Sequence, residues 1–145
     1  MRTMGVIIFL LLLLAAPLYA EDAPQTGDLT IIVSGFKTNN GYARIALSNS
    51  EQTFQDEDKA FCLVKARITN YKVTVILKDI PFGTYAVSVF HDENGSGKLE
   101  RNVLGIPKED YGFSNNARGK VNPPGFDKVR FELNTRSVIQ YITVK

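Results

Sequence analysis

Residues 72–90 read Lys72-Val73-Thr74-Val75-Ile76-Leu77-Lys78-Asp79-Ile80-Pro81-Phe82-Gly83-Thr84-Tyr85-Ala86-Val87-Ser88-Val89-Phe90. Val73, Val75 and Leu77 alternate with Lys72, Thr74 and Lys78. Tyr85, Val87 and Val89 alternate with Ala86, Ser88 and Phe90. A period of two over β-branched and aromatic residues is the mark of strands that cover a core. Asp79 to Gly83 between them is rich in turn formers, so this stretch predicts a β-hairpin.

The same period recurs on both sides. Upstream, Leu29, Ile31 and Val33 form one alternating set and Ala43, Ile45 and Leu47 a second. Between them Asn39-Asn40-Gly41 suits a hairpin turn, because Asn and Gly tolerate positive φ. Val64, Ala66 and Ile68 alternate with Lys65 and Arg67 before a turn at Asn70. Downstream, Val129, Phe131 and Leu133 precede Asn134-Thr135-Arg136, then Val138, Ile142 and Val144. About seven short strands without a long helical pattern predict an all-β fold. The expected architecture is a single antiparallel β-sandwich over residues 28–145, Ig-like or prealbumin-like, with one long ordered loop. Residues 48–60 read as a loop or short helix anchored by Phe54 and Phe61, and Asp56-Glu57-Asp58 as a solvated acidic face.

The first twenty residues stand apart. Arg2 is followed by an apolar run from Val6 to Pro17, then Leu18-Tyr19-Ala20 and an abrupt switch to Glu21-Asp22. That is the layout of a secretory signal peptide, and the run is short for a membrane span. Leu18 stands where a small residue is usual, which leaves an uncleaved anchor as the alternative. Residues 21–27 read as a flexible lead-in. Removing Arg2 takes the formal charge from +2 to +1, a balance that points to neither nucleic acid nor an anionic membrane. No membrane insertion is expected after cleavage. Cys62 is the only cysteine and reads as a small hydrophobe.

From His91 to Phe126 the period stops, yet Leu99, Val103, Leu104, Ile106, Tyr111 and Phe113 supply anchors for an ordered excursion. Its first part matches a Ca²⁺-loop template. Asp92, Asn94 and Ser96 take positions 1, 3 and 5, Gly97 the turn position, Lys98 the carbonyl position and Glu100 the ninth. A hard cation needs six to eight oxygens at about 2.3–2.6 Å, so short oxygen side chains must converge from alternate positions. Position 12 is Val103, so the bidentate carboxylate is missing; Glu93, Glu109 or Asp110 are its candidate substitutes. The competing reading is a plain turn, with Asp92 and Asn94 bonding nearby amides.

His91 reads either as a general base beside Asp92 or as a strand-end histidine bonded to a loop carbonyl. A second polar cluster holds Tyr111, Phe113, Asn115, Asn116 and Arg118. With His91 these form a candidate surface for a polar ligand. They are equally what a long loop needs to satisfy its own backbone.

His91-Asp92-Glu93-Asn94-Gly95-x-Gly97-Lys98-Leu99, Gly105-Ile106-Pro107-Lys108-Glu109 and Tyr111-Gly112-Phe113-Ser114-Asn115-Asn116-Ala117-Arg118-Gly119 resemble the signature of a bacterial family of exported proteins, the domain of unknown function DUF2141. The resemblance spans nearly all of residues 21–145. It implies export and a small β-rich domain, and no activity. Relatives often carry Asp where this chain has Glu100. The Gly83-Thr84-Tyr85-Ala86-Val87 segment is also similar to prealbumin-like sandwich domains of bacterial surface proteins. Some of those follow the strand with an Asp-x-Asn-x-x-Gly calcium loop, a likeness that carries no function across.

Two functions follow as expectations. The first is an exported, periplasmic or extracellular binding or structural module, with Ca²⁺ in loop 92–100 and a protein or glycan partner. The second is a small hydrolase using His91 with neighbouring carboxylates. Pairing through an exposed edge over Val138–Val144 is a third role. Oligomeric state is not written in the sequence.

Overall fold

The computed structural model describes residues 25–54, 56–120 and 122–145. The expected signal peptide lies outside the described residues. Eight strands run in the order β1 (Thr26–Ser34), β2 (Tyr42–Ser48), β3 (Cys62–Arg67), β4 (Lys72–Pro81), β5 (Gly83–Asp92), β6 (Tyr111–Phe113), β7 (Phe131–Leu133) and β8 (Ser137–Thr143). One helical turn, α1, spans Phe126–Val129. β1 takes in Thr26 and Gly27, which the sequence places in the lead-in.

The strands form a sandwich of two sheets. One holds β4, β1 and β8; the other holds β3, β2, β5 and β6, with β7 also pairing to β5. All pairs are antiparallel except β1 with β8, which is parallel. The core is the inner set of each alternation. Leu29, Ile31, Val33, Ile45, Leu47, Val87, Leu133 and Ile142 are at most 1% exposed. Enclosing each such aliphatic side chain contributes about 1.5–3 kcal/mol.

The expected hairpins are not hairpins. β4 pairs with β1, whereas β5 pairs with β2, so the chain crosses from one sheet to the other at Phe82. Only Phe82 separates the two strands, too little chain for a two-residue reversal. Pro81 also has no amide to close one. The Tyr85 hydroxyl donates to the Pro81 carbonyl at 2.8 Å and the Phe82 amide to Gln25 at 2.8 Å, which hold the corner. The Asn39-Asn40-Gly41 segment likewise crosses between sheets. The tight turn at Asn70 is present: Asn70 and Tyr71 have φ of 53° and 58°, and Thr69 and Lys72 exchange both backbone bonds.

Two further differences concern the far edge of β5. Tyr111–Phe113, read as loop, is the short strand β6. Val129, read as strand, closes the helical turn α1 and is fully buried. β6 pairs with residues 88–90 and β7 with residues 83–85, which leaves a gap opposite Val87. Ser114 fills it. Its Oγ accepts from the Val87 amide at 2.9 Å and donates to the Val129 carbonyl at 2.5 Å, with no exposed surface.

A second apolar layer therefore covers the outer face of β5. Ala86, Phe113 and Val129 are buried there, packed by Phe54, Tyr111, Ala117 and Phe126. Ser114→Ala strands two buried backbone groups, each costing about 1–3 kcal/mol. Urea unfolding should show a lower midpoint with an unchanged slope, a loss of roughly 3 kcal/mol.

Candidate functional site

β5 ends at Asp92, opposite Tyr42 of β2. The alternation turns Asp92 to the outer face with Ser88 and Phe90. Asp92 is 0% exposed. One carboxylate oxygen, Oδ2, accepts from the Gly97 amide at 3.0 Å; the other, Oδ1, is buried without a hydrogen-bond partner. Gly41 guards the approach. Its φ is +69°, and a Cβ there would collide with the Asp92 carbonyl and stand 2.7 Å from Glu93 Cα.

The five candidate calcium ligands are stitched into one loop. Asn94 Oδ1 accepts from the Ser96 amide at 3.0 Å, and Asn94 Nδ2 donates to Glu100 Oε1 at 3.0 Å. Ser96 Oγ donates to the Lys98 carbonyl at 3.0 Å. Gly95 and Gly97 have φ of 75° and 79°, the left-handed turns that fold the second half back on the first. Of the three substitutes for the missing twelfth ligand, only Glu109 bonds into the loop, accepting from the Glu100 amide at 3.2 Å. Glu93 accepts from Thr38 Oγ1 and Asp110 pairs with Lys37, both outside it. Among the described residues no three His, Cys, Asp or Glu side chains converge into a group that could hold a metal ion.

Loop 92–100 is also one wall of a cleft of about 400 Å³ on the outer face of the five-stranded sheet. Phe90, Tyr111 and Phe113 line it, with Lys98, Leu99 and Arg101 on the loop side. Arg44, whose guanidinium lies against Gly97 of the loop, donates to Glu57 at 3.3 Å. Arg44, Glu57 and Asp58 gave no sign of a shared site in the sequence, because β2 and loop 48–60 meet loop 92–100 only in the fold.

His91 lies elsewhere. Its side chain points to the inner face, 3% exposed, edge-on to Phe36 with ring centroids 5.3 Å apart. Its Nε2 stands 2.7 Å from the Asn40 carbonyl. The ring lies on the face of β5 opposite Phe90 and Asp92 and is absent from the cleft lining.

The second polar cluster divides. Tyr111 and Phe113 reach the cleft. Asn115, Asn116 and Arg118 serve the backbone: Asn115 Nδ2 donates to the carbonyls of Lys128 and Arg130, and Asn116 Oδ1 accepts from the Thr143 amide at 2.8 Å. Arg118 donates to the Tyr111 and Thr143 carbonyls at 2.9 and 2.8 Å, its guanidinium 5.6 Å from the Tyr111 ring centre. These side chains cover part of the open edge of β8. Asn115 and Asn116 reach these partners from φ of 60° and 50°, a conformation Asn adopts more readily than most residues.

The sequence model of a family described as an uncharacterized protein conserved in bacteria, DUF2141, matches residues 31–140. The chain belongs to the DUF2141 family. The match begins within β1 and ends within β8, and takes in β2 to β7, loop 92–100 and the Tyr111–Gly119 stretch of this DUF2141 protein. Neither a curated protein nor a solved structure matches the chain.

Because His91 packs against Phe36 and holds the Asn40 carbonyl, His91→Ala should act on stability. Loss of ring packing and of one hydrogen bond predicts about 2–4 kcal/mol by chemical denaturation. Binding at the cleft, measured under folding conditions, should change far less.

Proposed function

We propose that this DUF2141 protein is an exported binding module in which loop 92–100 closes on Ca²⁺ and so shapes one wall of the cleft beside Arg44 and Tyr111. The observation that carries this reading is the Asp92 carboxylate, enclosed with one oxygen unpartnered. A buried polar oxygen left without a partner costs about 1–3 kcal/mol. A divalent cation at Oδ1 offsets that cost. Asn94, Ser96, the Lys98 carbonyl and Glu100 supply further oxygens, and Glu109 or water completes the set. Two carboxylates in the ligand set, Asp92 and Glu100, suit weak binding, near the millimolar range of extracellular modules. Export to the periplasm or beyond accords with such an affinity.

The cleft joins an aromatic floor to a charged rim, which suits an extended peptide or a sugar with one apolar face. A protein or glycan partner is the occupant we assign to it. The hydrolase reading finds no support in the position of His91.

Thermal unfolding of residues 21–145 in EDTA and in Ca²⁺ tests the proposal. At a tenfold excess over Kd a single bound ion stabilises by about 1.4 kcal/mol, a rise in Tm of about 5 °C. Asp92→Asn should lose that rise. Equal wild-type melting in both buffers would refute Ca²⁺ binding.

A further inference from the structure

The segment between the cation loop and β6 projects a rigid apolar tip. Val103 is 102% exposed, Leu104 79% and Ile106 56%. Exposed aliphatic side chains scattered singly need no explanation, but three within four residues at one turn form a patch. The turn is not loose chain. Arg101 and Pro107 form a bridge, and the Asn102 amide donates to the Ile106 carbonyl at 2.9 Å. Asn102 Oδ1 accepts from the amides of Leu104 and Ile106 at 2.9 and 3.0 Å, and Arg101 donates to the Gly105 carbonyl at 2.9 Å. These bonds hold the Asn102, Gly105 and Ile106 backbone groups and the Leu104 amide within the turn, while the Val103 amide and the Val103 and Leu104 carbonyls take part in none of them and stay at headgroup level, where polar partners are at hand.

Across residues 98–108 the exposed charged side chains are all cationic, and Asp58 is exposed across the cleft from them. Lys98, Arg101 and Lys108 are exposed at its base. The nearby carboxylates are half-buried and engaged: Glu100 with Asn94, Glu109 with the Glu100 amide, and Asp110 with Lys37. A convex apolar knob inside a basic collar matches an anionic bilayer surface, whose headgroups meet the cations while the acyl boundary takes the aliphatic side chains. The near-neutral charge of the whole chain hides this local concentration.

We propose that the Arg101–Pro107 turn docks the protein onto anionic phospholipid, inserting Val103, Leu104 and Ile106 to side-chain depth. The contact is interfacial; among the described residues no helix is long and apolar enough to cross a membrane. It uses the turn's own hydrogen bonds and needs no ion, so it stands apart from the Ca²⁺ reading.

The chain contains no tryptophan. Leu104→Trp therefore places a single reporter at the tip, and measurements in EDTA exclude calcium bridging to headgroups. With phosphatidylcholine vesicles containing phosphatidylglycerol the emission should shift to the blue, and less so with phosphatidylcholine alone. In flotation of the otherwise unaltered protein, Val103→Asp with Leu104→Asp should lower partition at least ~10-fold. Lys108→Glu should lower it ~10-fold on the anionic vesicles. Tm should hold in each variant, since the sites are exposed. An unshifted emission spectrum with anionic vesicles, or flotation of the double aspartate variant equal to wild type, would overturn the proposal; the first would leave a protein groove as the occupant of the tip.

Discussion

The burial of β5 on both faces is the constraint from which the rest of the molecule follows. Val87 and Val89 face the sandwich core, and Ala86 and Phe90 face a second layer built from the loops. A strand enclosed in this way has no solvent to satisfy it, so its open backbone groups must be met from within. β2 meets one edge. The other edge is divided between β6 and β7, and Ser114 closes the gap between them. The long excursion after β5 is the means by which this edge and this face are covered. Its Asn115, Asn116 and Arg118 side chains then tie the cover to β8.

Asp92 inherits that enclosure. A polar side chain at the end of an ordinary strand would reach water; here Asp92 lies opposite Tyr42 and under the returning loop. The carboxylate bonds the Gly97 amide, which folds the loop, and keeps an oxygen in reserve. In the proposed account the ion that takes this oxygen draws Asn94, Ser96 and Glu100 inward, and the same residues carry Lys98 and Leu99 along the wall of the cleft. Stability of the loop and shape of the cleft are then one property.

Much of this was legible in the sequence, and the missing parts have physical causes. Alternation gave the strands and their inner faces, since Leu29, Ile31, Val33 and Val87 obey a period of two wherever they pair. Alternation does not say which sheet a strand joins. A crossing at Phe82 and a hairpin at Phe82 need the same pattern, so the pairing of β4 with β1 was invisible. β6 was missed because three residues are too short to show a period. The spacing from Asp92 to Glu100 marked the loop, while the pairing of Asp92 with Tyr42 and the close approach of Gly41 to the Asp92 backbone come from a strand some fifty residues earlier. Asn115, Asn116 and Arg118 were legible as polar residues that either bind a ligand or serve the backbone. Their bonds to β8 and to the chain around α1 favour the second.

The central claim is that Asp92 Oδ1 faces a cation. A crystal structure of residues 21–145 grown in excess Ca²⁺ tests it most directly. The account predicts an ion about 2.3–2.6 Å from Asp92 Oδ1, with Asn94, Ser96, the Lys98 carbonyl and Glu100 completing its shell. Asp92 Oδ1 left unpartnered or bonded to water, with the ion absent at saturating Ca²⁺, would contradict it.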